Sequence, residues 1–322
     1  MNREKILEIK NLKQYFHLDK STTVKAVDDI SFDIYKGEIF GLVGESGSGK
    51  STTGKTIIRL HESTGGEVIY KGNCISDKKT YKFIKKDVNK SMQIIFQDST
   101  SSLNPRMTIA DIISEPLKIQ GICKNKTDRM NKVYEMLKLV GLDRSYANKY
   151  PSDFSGGQRQ RIGIARALSV DPEFIIADEP IASLDVSIQA QIVNLFKKLQ
   201  QEKNLTCLFI AHDLSMVRHI SDRIGVMYNG KLVELADSNE LYNNPIHPYT
   251  KSLLSAIPVP DPRYAKSRNR IEYNSNGYDC SNEKSLSWIE VSDGHFVYSS
   301  KSEINKYQQN LKVVLKKNLL NF

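Results

Sequence analysis

No stretch of the chain holds the roughly 18 to 20 uninterrupted apolar residues that a membrane-spanning helix needs, so no such helix is expected. The opening MNREKILEIK alternates charged and apolar residues, which makes a poor secretory leader and predicts a cytosolic chain. Cysteine is scarce. Cys74, Cys123, Cys207 and Cys280 are all there are, and none forms a C-x-x-C pair. A zinc or iron–sulfur site needs closer spacing, so free structural thiols are expected. The net charge is +9 over 322 residues, but no Arg-rich block or aromatic–basic alternation accompanies it, so nucleic acid is not an expected partner. A solvated, Lys-rich surface accounts for that charge, although anionic lipid or nucleotide phosphates would also suit it.

What is present is an alternation of strand and helix patterns. ILEIKNL and SFDIYKG alternate in the manner of half-buried strands, and EIFGLVG from Glu38 to Gly44 is a short apolar run of the buried parallel type. A helix is expected from about Lys50, strands over GGEVIYKG and over Ser91 to Phe96, and a helical region over about 98–168. PEFIIADEP and LTCLFIAHD read as further buried strands, RIGVMYNGKLVELA as a hairpin about Asn229-Gly230, and WIEVSDGHFVY as another hairpin. Asp185 is placed to cap the helix VSIQAQIVNLFKKLQQEK, its carboxylate accepting an N–H at the helix start. The last 22 residues have helical apolar spacing and a Lys-rich polar face. The class is α/β: a phosphate-loop core on a mostly parallel sheet, with an antiparallel β subdomain, a helical subdomain and a small C-terminal extension.

The chemistry starts at GESGSGKST. Gly44, Glu45, Ser46, Gly47, Ser48, Gly49, Lys50, Ser51 and Thr52 fit G-x-x-x-x-G-K-[ST], between an apolar strand and a helix. Its glycines let successive N–H groups face phosphates, Lys50 supplies charge to the β- and γ-phosphates, and the Ser51 hydroxyl can ligate Mg²⁺. FIIADEP delivers Asp178 and Glu179 at the carboxyl end of a strand, where α/β sheets bind ligands. Asp178 is expected to hold Mg²⁺, usually through water, and Glu179 to polarise the attacking water. In isolation two such acids could equally cap the next loop. His212 and Gln97 end predicted parallel strands in the same way and can reach the γ-phosphate edge. Ser155, Gly156, Gly157 and Gln158 open a helix with exposed N–H groups, an anion-binding design. Since the Lys50 loop already cradles phosphates, a second anion site serves the nucleotide of a second molecule.

The set GESGSGKST, FQD, FSGGQRQR, FIIADEP, SLD and IAHD, in this order and spacing, resembles the ATP-binding subunits of ABC transporters. Phosphate-loop proteins in general lack FSGGQ. FQDSTSSLNPRMTIADIISEPL, EPIASLDVSIQAQIVNLF and NPIHPYTKSLLSAIPVPDP resemble the oligopeptide and dipeptide importer branch, and the closing WIEVSDGHFV is similar to its F-type ATPases. The likeness runs from about Asn11 to Val297.

That resemblance implies an ATP- and Mg²⁺-dependent ATPase domain over 1–260 and a C-terminal extension over 261–322 ending in a helix. It implies a head-to-tail pair of ATPase domains, in which the Ser155–Gln158 segment covers the partner's ATP. It assigns Asp178 as magnesium-associated acid, Glu179 as general base and His212 as switch histidine. Gln97 becomes a magnesium ligand that also couples to the permease, Asp185 links the two sites, and Phe16, with Tyr15 as alternative, stacks on adenine. The implied partners are a second ATPase subunit, usually a different chain, two permease subunits and, indirectly, an external substrate-binding protein; the implied location is the cytoplasmic face of the membrane. Nickel, a metal–chelator complex or glutathione are alternative cargoes. A non-transport ABC ATPase fits less well, because this chain has one motif set and no long coiled-coil insertion. Three features depart from the branch: Ala182-Ser183 stands where Ser-Ala is usual, Cys280 stands alone where some relatives carry a cysteine cluster, so no iron–sulfur cluster is expected, and the tail beyond about Tyr298 has no counterpart.

Overall fold

A computed structural model describes residues 3–19, 21–98, 102–182, 184–257, 271, 273 and 286–300. Ser183, Cys280 and the terminal helix expected over the last 22 residues lie outside them. In chain order the elements begin with β1 (Lys5–His17), β2 (Thr23–Tyr35), β3 (Ile39–Val43), α1 (Lys50–Ile57), β4 (Gly65–Tyr70), β5 (Asn73–Cys74), α2 (Lys78–Ser91) and β6 (Met92–Ile95). Then come α3 (Ile109–Gln120), α4 (Lys126–Leu139), α5 (Gly156–Leu168), β7 (Phe174–Asp178), α6 (Val186–Lys203) and β8 (Thr206–Ala211). The remainder is α7 (Leu214–Ile220), β9 (Arg223–Tyr228), β10 (Lys231–Asp237), α8 (Ser238–Asn243), α9 (Pro248–Ser255), β11 (Leu286–Ser292) and β12 (His295–Ser300).

The central sheet has the order β11-β12-β10-β9-β3-β8-β7-β6. The block β9-β3-β8-β7-β6 is parallel, while β9-β10, β10-β12 and β12-β11 pair antiparallel. Every residue of β3, β7 and β8 is buried, because both faces of the parallel block are covered. Alternation survives inside these apolar runs. Phe40, Leu42, Phe174, Ile176, Leu208 and Ile210 join one core, and Ile39, Val43, Ile175, Ala177, Cys207 and Phe209 join the other. The first core is completed by the antiparallel sheet β2-β1-β4-β5 and by Ile57 of α1. The second takes in Ile112, Ile113, Met136, Leu137, Ile162 and Ile164 of the helical region.

The fold departs from expectation in two places. Helix α2 is an addition; Val88 is its one buried residue, and Tyr81 and Ile84 pack half-buried on the same face. Asp77 caps it by accepting from the Thr80 N–H, and Ser91 closes it instead of opening the next strand. Asp185 does precede α6, but its carboxylate makes no capping bond. Its backbone carbonyl accepts from the Ile188 and Gln189 N–H groups at 2.9 Å, and the Gln189 side chain ties down Ile181 and Leu184. The expected hairpin forms as β11-β12, and β12 pairs with β10 and so extends the central sheet.

Candidate functional site

Parallel pairing fixes where the chemistry gathers. In register Val43 lies beside Ala211, Ile210 beside Asp178, and Ala177 beside Ile95. The residues that come after β3, β8, β7 and β6 therefore leave the sheet at one edge, which brings Gly44, His212, Glu179 and Gln97 together. A cavity of about 450 Å³ there is lined by Ser46, Gly47, Gly49, Lys50, Ser51, Thr52, Gln97 and Glu179, with Val24, Lys25, Ala26, Asn229 and Gly230.

The loop from Gly44 to Gly49 is shaped by backbone that only glycine tolerates. Gly44 has φ 154° and Gly49 φ 103°. A Cβ on Gly44 would come within 2.2 Å of the Met227 carbonyl, and one on Gly49 within 2.1 Å of the Ala26 carbonyl. The β9-β10 turn buttresses the loop, because the Gly230 N–H donates to the Ser48 carbonyl at 3.0 Å. Lys50 is 3% exposed, and its ammonium donates to the Gly44 and Glu45 carbonyls at 2.8 Å each. Burial lowers its pKa from the ordinary value, opposed by the charges of Glu179, Asp178 and Glu45.

At the far side of the cavity the Ser51 hydroxyl donates to Asp178 Oδ1 at 2.7 Å. Asp178 is 2% exposed, and burial raises its pKa despite that hydrogen bond and the nearby Lys55 and Lys50. These are hard oxygen donors beside a phosphate loop, and they fit a magnesium ion. Glu179 has φ 45°, a left-handed conformation that costs a non-glycine residue about 1–3 kcal/mol. Its N–H donates to the Ile210 carbonyl at 3.0 Å. The side chain meets two partners, for Gln97 Nε2 donates to Glu179 Oε2 at 2.8 Å and His212 Nδ1 lies 3.3 Å from the same oxygen.

Five of the expected residues, Asp185 among them, lie elsewhere. Ser155, Gly156, Gly157 and Gln158 line a different cavity of about 600 Å³, with Asp143, Tyr146, Arg161, Leu184, Asp185 and Ile188. The two cavities share no lining residue. Ser155 and Gln158 cap each other at the start of α5: the Gln158 N–H donates to Ser155 Oγ, and Gln158 Oε1 accepts from the Ser155 N–H at 3.0 Å. That leaves the Gly156 and Gly157 amides as donors at the positive end of the helix dipole. Of the two candidate aromatics, the Tyr15 hydroxyl is held by Asp28, whereas the Phe16 ring lies edge-on to His61 at 5.4 Å and its strand partner Val24 lines the Lys50 cavity. Sequence reasoning missed Lys25, Ala26, Asn229 and Gly230 as parts of the site. The Asn-Gly pair gave a signal for a hairpin only, and nothing local aims that hairpin at the loop.

A phosphate loop with paired acids at the carboxyl edge of a parallel sheet, and a glycine-opened helix in a separate cavity, define the ATP-binding cassette class of ATPase. A family profile described as ABC transporter matches residues 27–182, and one described as oligopeptide/dipeptide transporter, C-terminal region, matches residues 233–280. The chain is 62% identical over 304 residues to the oligopeptide transport ATP-binding protein OppF of Bacillus subtilis, covering 94% of this chain and 99% of that one. It is 53% identical to OppF of Streptococcus mutans, covering 96% and 99%, and 50% identical to the dipeptide transport ATP-binding protein DppF of Lactococcus lactis, covering 95% and 98%. Among solved structures it resembles the ATP-binding cassette MJ0796 in a dimeric post-hydrolysis state bound to ADP and Pi, with 29% identity, TM-score 0.66, and 72% and 98% of the two chains covered. The chain belongs to the oligopeptide/dipeptide branch of the ABC transporter ATP-binding family, and it is an ATPase. No helix among the described residues is long and apolar enough to cross a membrane.

Proposed function

We propose that this chain powers the import of oligopeptides or dipeptides by hydrolysing ATP at the cytoplasmic face of the membrane, bound there to two permease subunits and paired with a second ATPase chain. One observation carries the pairing: the Lys50 cavity holds the loop, Gln97, Glu179 and, through Glu179 and Ser51, His212 and Asp178, whereas the Ser155–Gln158 helix start lines another cavity. A chain built this way owns two half-sites, and a head-to-tail partner completes both. The dimeric state of the MJ0796 relative supports the arrangement. The transport functions for which the OppF and DppF relatives are named support the peptide cargo. Resemblance to the importer branch supports a different chain as the ATPase partner and an external binding protein that delivers the peptide.

In this reading Lys50, held beside the Gly44 and Glu45 carbonyls, supplies its charge to the β- and γ-phosphates, and the amides of Ser46 to Thr52 cradle them. Phe16 stacks on adenine. Ser51, Asp178 and Gln97 would hold magnesium, which when bound would offset charge on the phosphates. Glu179, oriented by Gln97 and His212, accepts the proton of the attacking water. His212 contacts the γ-phosphate, and Asp185 links the two sites of the dimer.

The test is Glu179→Gln. The amide oxygen can still accept from Gln97, so the fold and ATP binding are expected to survive. A general base contributes about a hundred- to ten-thousand-fold, and steady-state ATP turnover of the assembled transporter should fall by that factor. Turnover within threefold of wild type removes Glu179 from the base role. Peptide uptake into proteoliposomes that contain the copurified permeases tests the cargo; uptake of a nickel complex or glutathione in its place overturns the peptide assignment.

A further inference from the structure

Behind the phosphate loop, outside the cavity, lies a buried aromatic and acidic cluster from the C-terminal part of the chain. Tyr249, the second residue of α9, is 1% exposed and does not line the Lys50 cavity. The Glu45 N–H donates to its hydroxyl at 3.0 Å. That N–H and the Gly44 carbonyl belong to one peptide group, and the carbonyl accepts from Lys50 Nζ at 2.8 Å. The peptide is trans, so its two dipolar ends point in opposite directions. Tyr249 pulls the N–H away from the cavity, and the carbonyl is thereby aimed at the Lys50 ammonium.

Tyr249 is itself tightly held. Its ring centroid lies 4.4 Å from that of Tyr228 and 5.4 Å from that of Tyr273. Its N–H donates to His247 Nδ1 at 3.1 Å, which fixes the start of α9. The fully buried Glu234 on β10 accepts from the Ile246 N–H at 2.8 Å and the His247 N–H at 3.0 Å. Its third partner is His295 on β12, with Nε2 2.8 Å from Glu234 Oε1. The chain of contacts runs from the C-terminal hairpin through Glu234 to the turn before α9, and through Tyr249 to the phosphate loop.

We infer that Tyr249 is a positioning residue for the phosphate loop, setting the Gly44–Glu45 peptide for nucleotide and anchored to the C-terminal hairpin through Glu234 and His295. Without the hydroxyl this peptide is free to turn over, swinging its carbonyl away from Lys50. Nucleotide must then select one loop arrangement from several, which weakens binding. Glu179, His212 and Gln97 form no hydrogen bond with these residues, and Lys50 meets the Gly44–Glu45 segment only through its two carbonyls, so the effect is expected in nucleotide affinity first.

The inference rests on the Lys50 loop being the ATP site, and Lys50→Ala is the control for that reading. Tyr249→Phe keeps the ring and its packing and removes only the hydroxyl. In the assembled transporter it should raise KM for ATP about fivefold, the size of a modest hydrogen-bond loss, and leave kcat within twofold. ATP titration of the full-length chain by calorimetry should show the same fivefold weakening. Glu234→Gln, which replaces one acceptor oxygen by an amide nitrogen, should raise KM in the same way, and the double variant should be no worse than the more affected single one. If Tyr249→Phe binds ATP within 1.5-fold of wild type while Lys50→Ala abolishes binding, the positioning role is refuted and the site reading stands. If Lys50→Ala retains ATP binding, the site reading itself falls. Unchanged KM in Glu234→Gln, or additive effects in the double variant, refutes the anchoring.

Discussion

Replacing Gly157 by aspartate separates the two half-sites. Gly157 lies in the first turn of α5, and a Cβ there would sit 3.5 Å from Leu184 Cδ2 and 3.6 Å from Ile188 Cγ2, ordinary contact distances. Helical propensity favours almost any residue over glycine, and a carboxylate in the first turn suits the helix dipole. The isolated chain should therefore be at least as stable as wild type. Its own nucleotide cavity shares no residue with this helix start, so ATP affinity should stay within twofold. Closure with a partner is another matter. A carboxylate about 4 Å from a phosphate oxygen, at an effective dielectric near 20, is opposed by about 4 kcal/mol. That corresponds to a roughly thousandfold loss of closed dimer. Calorimetry on the chain and steady-state ATPase of the assembled transporter measure the two effects separately. The reasoning predicts normal binding with turnover down more than a hundredfold. Weakened ATP binding by the chain alone with turnover preserved would mean that the helix acts on its own nucleotide, and the trans arrangement would be wrong.

Burial holds the Glu38 carboxyl up to about 7, against an ordinary value near 4.5, with Arg223 opposing. Between those values the folded chain keeps a proton that the unfolded chain has lost, so stability falls as pH rises from about 4.5 through about 7, by up to about 3 kcal/mol. Urea midpoints should show Glu38→Gln gaining on wild type between pH 5 and pH 8; a constant difference refutes this. Ser51→Ala removes a hydroxyl that donates to Asp178 at 2.7 Å. It should raise the Mg²⁺ concentration for half-maximal ATPase about tenfold, and an unchanged requirement excludes Ser51 as a ligand. Phe209 is fully buried on β8 and packs edge-on against Phe196 at 5.7 Å. Phe209→Ala should cost about 3–5 kcal/mol in urea unfolding, and a loss below about 1 kcal/mol would mean that the core refills the space.

Local chemistry was legible in the chain. The phosphate loop could be read because its glycines, lysine and hydroxyl are consecutive and serve one anion. Asp178, Glu179, His212 and Gln97 could be read as a group because each stands at the end of an apolar run, and parallel strands bring their carboxyl ends to a single edge. Tyr81, Ile84 and Val88 do recur at helical spacing along α2, but the helix is rich in lysine and buries one face only, so its signal stands out less than those of the apolar strands on either side. Asp185 had the right residue type for a cap, but its backbone carbonyl, not its carboxylate, bonds the helix start.

The sequence by itself determined the class of fold, the identity of the nucleotide loop and the acids opposite it, because these rest on residue type and short spacing. Tertiary structure alone decided which cavity each motif lines. Gly157 and Lys50 are both anion-binding elements by sequence, and only the packing of α5 against α3, α4 and β6 sets one of them in a cavity apart from the other's. Likewise the Glu45 N–H meets Tyr249 across 204 residues of chain. No local pattern encodes such a contact; it exists because β10, the turn before α9 and the C-terminal hairpin close on the same buried carboxylate.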